Sequence, residues 1–564
     1  MDSEPLIPVG FFIRIVCAIK AAVASVHCKM ARSSGFRERV GAMREVRVSR
    51  HGVLVLLLAA SPVLAAADAP HATPVQAAAV QIRHMLEQVQ QVPGSFPAVS
   101  AVVVEGDATP LLYVNGLAHA GTGVRADHAT LFYVASQTKS FIGLLAAQLD
   151  AEGVLPLDTT LAQVWPKLHL PAPADPASIT LADLLSHQEP LTTKTLNHLT
   201  AYVRAVPATD YPDLLARYTE ARKPGFRYSN LGDLIYGAAL QVRTGRSWHD
   251  WLHVGVLQPL GLVDAQTATS GIAPRRLAWS HQWDGTGWHA LPPKPDALMH
   301  AAGGLALSSD DMASWMRANL ARRSSSGTPT TASFERAQRP IVHADLADGE
   351  IDCDGYSLGW YTCGYKGERV LMHPGSYPGV VSVTVLLPTR NAGLSLVINS
   401  DSAIEGLELE TIKAFIGLST GKDGEDARLQ KIVADYPARL AKLVKRRADA
   451  IAAARADIKW AGFGWRPSPL ELDAHAGVFE SPRLGTLRVE RDGDALVAML
   501  GAQRERLQPA TPGLFAAWPQ TLDPPGEFRY DAARDAIDWD GDRFVRQASS
   551  HGPLSPSSAA KSSR

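Results

Sequence analysis

The feature that most constrains the fold is a serine and a lysine three residues apart, Ser136 and Lys139, at the start of an apolar run. The run, residues 141–147, is apolar on nearly every side and therefore predicts a helix that is buried all round. Because residues three apart share a helix face, we expect the lysine amine to reach the serine Oγ. A serine hydroxyl is a weak nucleophile at neutral pH, and an amine in an apolar setting can accept its proton. The pair indicates a serine acyl-transfer enzyme.

The same spacing occurs twice more, at Ser419 and Lys422 and at Ser558 and Lys561. The first of these pairs spans a glycine where a helix is predicted to end, and the second lies in a Ser/Ala/Lys-rich tail that cannot be buried. Neither opens an apolar helix, so we interpret both as chance. Taken alone, Ser136 and Lys139 have a plain alternative, a polar helix start with a solvated lysine.

The length and the charge distribution limit the possible functions. A chain of 564 residues predicts two folded units plus extensions. Residues 1–67 hold nine Lys/Arg and four Asp/Glu, which leaves 46 basic and 52 acidic residues in the remainder. A mildly acidic body has no electrostatic footprint for nucleic acid, so no nucleic-acid partner is expected. The oligomeric state is left open by the sequence.

The basic excess belongs to a predicted leader, residues 1–67. Translation is expected to start at Met43, which opens a positive segment followed by the apolar residues 53–60 and by small residues up to Ala67. This order is typical of a secretory signal peptide. The apolar stretch is too short to span a bilayer, so no stable membrane insertion is expected after cleavage. The mature protein is predicted to be secreted or periplasmic.

Two of the four cysteines, Cys353 and Cys363, lie beyond the leader. In an exported protein they can form a disulfide, although two free buried thiols fit the sequence nearly as well. Two cysteines without adjacent histidines do not make a zinc site, so no metal is predicted.

Strand and helix signals divide the rest of the chain. In residues 68–420, strands are predicted at both ends with helices between them, which favours one antiparallel sheet joined by a helical subdomain. The individual predictions are strands at 101–104 and 111–114 with a turn at Asn115-Gly116, a helix capped by Ser308 through about Leu320, strands at 380–387 and 394–398, and a helix at 404–416.

The C-terminal third differs in pattern. Residues 421–464 are charged and alanine-rich with an apolar helical stripe, and they predict a helical connector. Residues 465–549 alternate short strands with Asp-Gly turns, which predicts a small all-β, barrel-like domain. Residues 550–564 are predicted to be disordered.

A second chemical element is Tyr228-Ser229-Asn230, which follows a Pro-Gly turn and precedes a helix-like stretch. A tyrosine whose pKa is lowered by a neighbouring ammonium can take a proton and pass it to a leaving group. The Asn230 amide can hold the lysine and a substrate carbonyl. The similar residues 113–115 are explained by the predicted turn. For Tyr228 itself, the alternative is a half-buried loop tyrosine.

The third element is His373-Pro374-Gly375-Ser376, ahead of a clear strand. Glycine lets a substrate approach the backbone, and a proline within a strand favours a free edge that lines a cleft. On that edge the Ser376 N–H is expected to pair with the Ser136 N–H as an oxyanion hole. A Gly/Pro loop with a surface histidine is the alternative.

In this order, the three elements resemble the serine β-lactamase and penicillin-binding protein superfamily, in the branch with class C β-lactamases, D-aminopeptidases and related esterases. His373 occupies the place where many members carry Lys-Thr-Gly. Residues 179–187 and 301–305 are also similar to the family, and the resemblance covers about 75–420. It implies an α+β, β-lactamase/transpeptidase-like fold with an antiparallel sheet flanked by helices and a helical subdomain. The region after Trp465 resembles the lipocalin-like barrel of some members.

The sequence departs from the family pattern at two points. His187 is followed by Gln188-Glu189-Pro190 instead of a Thr-Ser-Gly type turn, and the third-motif lysine is replaced by His373. A histidine is mostly neutral at pH 7, which weakens the case for substrates that present a carboxylate, such as β-lactams and peptide C-termini.

The resemblance implies an exported serine hydrolase that forms an acyl-enzyme and needs no cofactor. Its expected substrates are peptides or amides that contain D-amino acids, or small esters. The expected catalytic residues are Ser136, Lys139 and Tyr228, and the residues expected to orient the substrate are Asn230, His373 and Gly375. The N–H groups of Ser136 and Ser376 are expected to form the oxyanion hole. The alternatives are a β-lactamase or D,D-carboxypeptidase, and a non-catalytic cell-envelope binding or sensing protein.

Overall fold

The structure is a computed structural model that describes residues 72–547 except 349 and 403–405. The predicted leader, the predicted tail and the pair Ser558 and Lys561 therefore lie outside the described residues. Among the described helices, none combines the length and the apolar character needed to cross a bilayer. The proposed domain boundaries remain predictions.

An antiparallel sheet of nine strands forms the centre of the first region, in the order β10-β11-β12-β13-β14-β15-β1-β2-β3. The described strands of this region, in chain order, are β1 (Ala98–Glu105), β2 (Ala108–His119), β3 (Val124–Arg125), β4 (Phe132–Tyr133), β5 (Leu191–Thr192), β6 (Glu220–Ala221), β7 (Ser280–Trp283), β8 (Trp288–Leu291), β9 (Ala306–Leu307), β10 (Val342–Asp348), β11 (Ile351–Tyr356), β12 (Tyr361–Tyr365), β13 (Glu368–Tyr377), β14 (Val380–Leu387) and β15 (Ala392–Ile398). Six of these strands lie outside the nine-stranded sheet and form the two-stranded pairs β4-β9, β5-β6 and β7-β8. The first strand pairs with the last, β15, so the two ends of this region meet in one sheet. The fold class predicted from the sequence is confirmed.

The predicted turn at Asn115-Gly116 is wrong, because β2 continues through both residues. Gly116 pairs with Ala98 on β1 and has φ +104°, and a Cβ there would lie 2.0 Å from the Pro97 carbonyl oxygen. The glycine therefore allows a close backbone approach within the sheet. Asn115 donates hydrogen bonds from Nδ2 to Gln90 and Tyr113, which gives the residues 113–115 a structural role.

The helices cover both faces of the sheet and build the helical subdomain. In chain order they are α1 (Pro74–Gln90), α2 (Thr138–Ala151), α3 (Leu161–Val164), α4 (Leu181–Leu185), α5 (Lys194–His198), α6 (Tyr211–Tyr218), α7 (Leu231–Thr244), α8 (Trp248–Leu252), α9 (Ser309–Ala321), α10 (Thr331–Gln338), α11 (Leu407–Ser419), α12 (Glu425–Arg455) and α13 (Pro469–His475). The predicted all-round burial of α2 is confirmed, since each residue from Thr138 to Leu149 is buried. Ser308 caps α9 in a capping box with Asp311, also as predicted.

The sheet is buried on both faces. Along β1, Val99 and Val103 belong to a hydrophobic cluster that includes α1, α11 and α12. Val102 and Val104 belong to a second cluster that includes α2, α9 and the helical subdomain. Because successive strand residues point to opposite faces, this alternation places α2 and its N-terminal end on one side of the sheet.

Cys353 and Cys363 form a disulfide between the neighbouring strands β11 and β12. The sequence left open whether these two cysteines form a disulfide or remain free thiols, and the structure has the disulfide. The bridge lies in the same sheet as β13, which carries the His373 segment.

The C-terminal region is a closed barrel of eight antiparallel strands. These are β16 (Gly477–Ser481), β17 (Gly485–Asp492), β18 (Ala495–Leu500), β19 (Gln503–Thr511), β20 (Leu514–Trp518), β21 (Gly526–Asp531), β22 (Ala536–Trp539) and β23 (Asp542–Arg546). Buried aromatic side chains such as Phe479, Phe515 and Phe528 belong to its core. Closure of the barrel pairs its edge strands, and the barrel-like domain predicted from the sequence is confirmed.

Candidate active site

Ser136 lies in a short 3₁₀ turn, Ala135–Gln137, immediately before α2. Ala135 has φ +50°, a left-handed conformation that is uncommon for a residue with a side chain. Ser136 is partly exposed, whereas each of the five residues before it and the four after it is buried. The turn therefore brings one hydroxyl to the surface from an otherwise buried segment.

Lys139 is almost fully buried, with 1% of its surface exposed, and its ammonium group is fully hydrogen bonded. The Nζ atom donates to Ser136 Oγ at 3.2 Å, to Asn230 Oδ1 at 2.8 Å and to the Ala302 carbonyl oxygen at 2.7 Å. An ammonium has three donors, so these partners account for all of them. Asn230 is the residue that precedes α7, so that helix and the glycine-rich residues 301–305 fix the amine beside the hydroxyl.

Tyr228 also contacts Lys139. Its ring centroid is 5.1 Å from Lys139 Nζ, within the range of a cation–π contact. The ring is half-buried, and its centroid lies 4.7 Å from that of His187 and 6.0 Å from that of His373. The three sequence elements thus meet around Lys139.

His373 is completely buried, and both of its ring nitrogens contact neighbouring protein groups. Its Nδ1 lies 2.7 Å from the Pro374 carbonyl oxygen and its Nε2 lies 3.1 Å from the Tyr356 hydroxyl. Because a carbonyl can only accept, Nδ1 carries the proton and Nε2 accepts from Tyr356. Burial, with the neighbouring Lys139 charge, lowers the pKa of His373 to about 3, so the ring is neutral at pH 7. Neither ring nitrogen is left free to bind a substrate group.

Gly375 brings β13 against the turn Ala135–Gln137, which carries Ser136. A Cβ at this position would lie 2.3 Å from the Val134 carbonyl oxygen and 3.1 Å from the Ser136 amide nitrogen. The close approach is therefore made by the chain's own backbone. Ser376 follows directly and is partly exposed. Of the described strands, β12 pairs with β13 only as far as Met372, so the segment from 373 onward is a free edge on that side.

Several groups in the site were not assigned a role from the sequence. The Ala302 carbonyl accepts from Lys139, and the N–H groups of Gly304 and Leu305 donate to Thr138 Oγ1 at the start of α2. Residues 301–305 resemble the family's glycine-rich turn, but the sequence carries no signal that the Ala302 carbonyl accepts a hydrogen bond from Lys139.

Buried ionisable groups surround the site as well. His187 is fully buried, and neither of its ring nitrogens has a hydrogen-bond partner among the described residues. Glu189 accepts a hydrogen bond from Ser229 at 3.0 Å, and burial raises its pKa to about 8. Burial also raises the pKa of Asp233 to about 7, although the Lys139 charge opposes the rise. His187 and Glu189 belong to the stretch that departs from the family pattern. Within the described part of the chain, no three His, Cys, Asp or Glu side chains are grouped so that they could hold a metal ion.

Comparisons with known proteins show which family the sequence matches. The sequence model of the family described as "Beta-lactamase" matches residues 82–416. Penicillin-binding protein 4 of Amycolatopsis lactamdurans is 27% identical over 336 residues, which are 56% of this chain and 84% of that protein.

Two solved structures share the fold. The octameric penicillin-binding protein homologue from Pyrococcus abyssi superposes with a TM-score of 0.52 at 17% identity, covering 83% of this chain and 99% of that chain. The D-amino acid amidase from Ochrobactrum anthropi SV3 has a TM-score of 0.50 at 22% identity, covering 61% and 99% of the two chains. Because the family match spans more than half of the residues and includes all three sequence elements, the chain belongs to the beta-lactamase family, the hydrolases related to serine β-lactamases and penicillin-binding proteins.

Proposed function

We propose that this protein is an exported serine hydrolase that forms an acyl-enzyme on Ser136. The observation that carries the proposal is the 3.2 Å contact between Lys139 Nζ and Ser136 Oγ, with the amine buried and fixed by Asn230 and Ala302. A fixed amine at hydrogen-bond distance from a partly exposed hydroxyl is the arrangement that an activated nucleophile requires.

The proposed reaction has two halves. Ser136 Oγ attacks the carbonyl carbon of an ester or amide, and its proton passes to Lys139 in the neutral amine form or to Tyr228 in the phenolate form, and from there to the leaving oxygen or nitrogen. Water then attacks the acyl-serine ester, the same groups take its proton, and the proton returns to Ser136 Oγ as the acid leaves. The N–H groups of Ser136 and Ser376 are proposed to stabilise the oxyanion in both halves.

Asn230 and His373 are proposed to orient groups in the site by different means. Asn230 holds the Lys139 amine directly. His373 acts through its neighbours: it fixes the Tyr356 hydroxyl and the Pro374 carbonyl at the start of the free edge. Gly375 is proposed to keep that edge close enough to Ser136 for the two N–H groups to face one oxygen.

The proposed substrates are peptides or amides with D-amino acids, or small esters. His373 is neutral where many members carry a lysine, so the third sequence element offers no cation to the carboxylate of a β-lactam or a D,D-peptide. The fold neighbour named as a D-amino acid amidase suggests D-amino acid amides as the first compounds to test. Export is supported by the predicted leader and by the disulfide, which suits an oxidising compartment.

The test is turnover of D-alaninamide, a 4-nitrophenyl ester and a chromogenic cephalosporin by the wild type and by Ser136→Ala. We expect hydrolysis of the ester or the amide, little cephalosporin turnover, and loss of activity in the variant. Ser419→Ala, from the second Ser-x-x-Lys pair, is the matched control and should keep activity. Efficient cephalosporin hydrolysis would favour a β-lactamase. The proposal would be contradicted if Ser136→Ala kept all of these activities, or if the wild type hydrolysed none of the compounds.

A further inference from the structure

A second lysine, Lys294, lies near the nucleophile and is used by none of the steps above. It is 7% exposed and lies between β8 and a short 3₁₀ turn, Asp296–Leu298. Its Nζ donates to the Tyr133 hydroxyl at 3.2 Å and lies 3.5 Å from His300 Nε2. The same atom lies 4.7 Å from the ring centroid of Tyr377 and 5.5 Å from that of Tyr133.

The position of these tyrosines places the amine beside the reaction. Tyr133 precedes Ser136 by three residues, and Tyr377 directly follows Ser376. The two rings contact each other edge to face, with centroids 5.7 Å apart. The Lys294 amine therefore lies against both of the segments that carry the proposed oxyanion-hole N–H groups.

The amine is buried without a counter-ion. Among the described residues, no carboxylate lies within ion-pair distance of Lys294, whereas buried lysines are normally paired. Burial lowers its pKa to about 7, and the like charge of Lys139 adds to this effect. Such an amine gains stability from any anion that enters beside it.

Several of the groups around this amine reach the surface in part. Tyr377, Tyr202 and His300 are each partly exposed, and Tyr202 stacks on Tyr377 with centroids 6.1 Å apart. His300 Nδ1 is buried and has no hydrogen-bond partner among the described residues. A nearly buried amine beneath partly exposed aromatic rings, next to an unsatisfied ring nitrogen, is a polar site with spare hydrogen-bonding capacity.

We propose that Lys294 binds a carboxylate of the substrate, so that the enzyme prefers esters or amides that carry an anionic group near the reacting carbonyl. The inference rests on the proposed function, because it concerns the substrate of the same Ser136 site. His373 is neutral and both of its ring nitrogens are engaged, so it cannot supply this charge. Lys294 supplies a cation from a different element of the fold, and its ammonium keeps a donor for the carboxylate after bonding Tyr133 and His300.

Three activated esters test the proposal: 4-nitrophenyl acetate, which is neutral; 4-nitrophenyl hemisuccinate, whose carboxylate is in the acyl group; and 3-carboxy-4-nitrophenyl acetate, whose carboxylate is in the leaving group. The wild type is expected to show a kcat/KM at least about tenfold higher for one of the two anionic esters than for the neutral one, after correction for their intrinsic reactivity. The anionic ester that is preferred identifies the side of the scissile bond that faces Lys294.

Lys294→Gln should remove this preference and leave kcat/KM for 4-nitrophenyl acetate within about threefold, because the lost interaction involves only the anion. Lys294→Arg should restore part of the preference. Lys167→Gln, at an exposed lysine, is the matched control and should keep it. Lys294→Met, with an apolar side chain in the buried position, repeats the test if the glutamine variant has a lower Tm.

The failures can be distinguished. No hydrolysis of the neutral ester by the wild type would overturn the proposed function. Hydrolysis of all three esters without an anionic preference would overturn only the role of Lys294. An equal loss on all three esters in Lys294→Gln, with no rescue by arginine, would make Lys294 a structural support of Tyr133 and would also overturn its role in recognition.

Discussion

The chain contains two described Ser-x-x-Lys pairs whose spacing is identical and whose surroundings are opposite. Ser136 is partly exposed, and Lys139 is buried with three hydrogen bonds. Ser419 is the last residue of α11 and is 2% exposed, and its Oγ has no hydrogen-bond partner among the described residues. Lys422 is exposed beyond the end of that helix. The Ser-x-x-Lys spacing brings a hydroxyl and an amine within reach of each other, whereas tertiary burial decides whether the hydroxyl is accessible and whether the amine is held in place.

Substitution of the two lysines is expected to give the largest difference in kcat/KM between the two pairs. Lys139→Met should lower kcat/KM for a 4-nitrophenyl ester by roughly 10³- to 10⁴-fold, because it removes the group proposed to take the Ser136 proton. Lys422→Met should leave kcat/KM unchanged within about twofold. Equal effects of the two substitutions, measured by steady-state kinetics on folded variants, would end the distinction between the pairs.

Strand β13 packs against the turn Ala135–Gln137 through Gly375. Gly375→Ala should lower kcat by about 10²-fold, because its Cβ would meet Val134 and the Ser136 amide and displace the strand edge. Gly364→Ala on the adjacent strand β12 is the matched control, since the nearest atom to its Cβ would be 4.0 Å away. Retention of wild-type kcat in Gly375→Ala would show that the close approach is not needed.

Two buried glutamates near the two pairs differ in their partners. Glu189 has one oxygen hydrogen bonded to Ser229 and the other unpartnered among the described residues, and burial raises its pKa to about 8. Glu425, by contrast, is bonded to Lys366 and Arg428. A carboxyl whose pKa is raised on folding binds protons more tightly in the folded state, so stability falls as pH rises from its usual pKa toward 8.

Glu189→Gln should therefore gain stability over the wild type as pH rises from 5 to 8.5, by about 4 kcal/mol. Glu425→Gln should destabilise at both pH values, because it removes the carboxylate that pairs with Lys366 and one of the three that pair with Arg428, which keeps Glu350 and Glu410. Urea unfolding at the two pH values measures both effects. A constant difference between Glu189→Gln and wild type across this range would contradict the raised pKa.

The smallest expected effect concerns the barrel, which we propose restricts substrate size. The Ala502 N–H donates to the Val203 carbonyl, and Val203 is next to Tyr202, which stacks on Tyr377. In Gly501→Ala, the Cβ would lie 2.0 Å from the Val203 carbonyl oxygen.

We expect Gly501→Ala to change KM for bulky esters by roughly 3- to 10-fold with little change for 4-nitrophenyl acetate. Gly493→Ala also introduces a side chain at a positive φ, but nothing lies within 4 Å of its Cβ, so it controls for backbone strain. If the KM for bulky esters in Gly501→Ala equals that of the wild type, or changes as much in Gly493→Ala, the barrel does not restrict substrate size.

Much of the fold follows from local patterns. The apolar run after Lys139, the Ser308 cap and the strands near 380–387 and 394–398 were each predicted close to their observed bounds. Asn115-Gly116 failed because glycine serves both turns and close approaches, and only the partner strand shows which one applies. Helix α1 was not predicted at all, although Thr73 and Gln76 form a capping box at its start.

The site was predictable in its side chains and not in its environment. Ser136, Tyr228 and His373 stand in recognisable local sequences, and the structure brings them together around Lys139. The burial of His373, whose two ring nitrogens are both hydrogen bonded, depends on Tyr356 and on the sheet around it. Lys294 carries no local signal, because its significance is the absence of a counter-ion, and that is a property of the tertiary structure.

The central claim is that one serine among the many in this chain is an activated nucleophile. The most direct measurement is labelling with a fluorophosphonate, followed by peptide mapping by mass spectrometry. We predict a single adduct on Ser136, none on Ser419, no label in Ser136→Ala and much slower labelling in Lys139→Met. An adduct on another serine, or labelling of Ser136→Ala at the wild-type rate, would contradict the account.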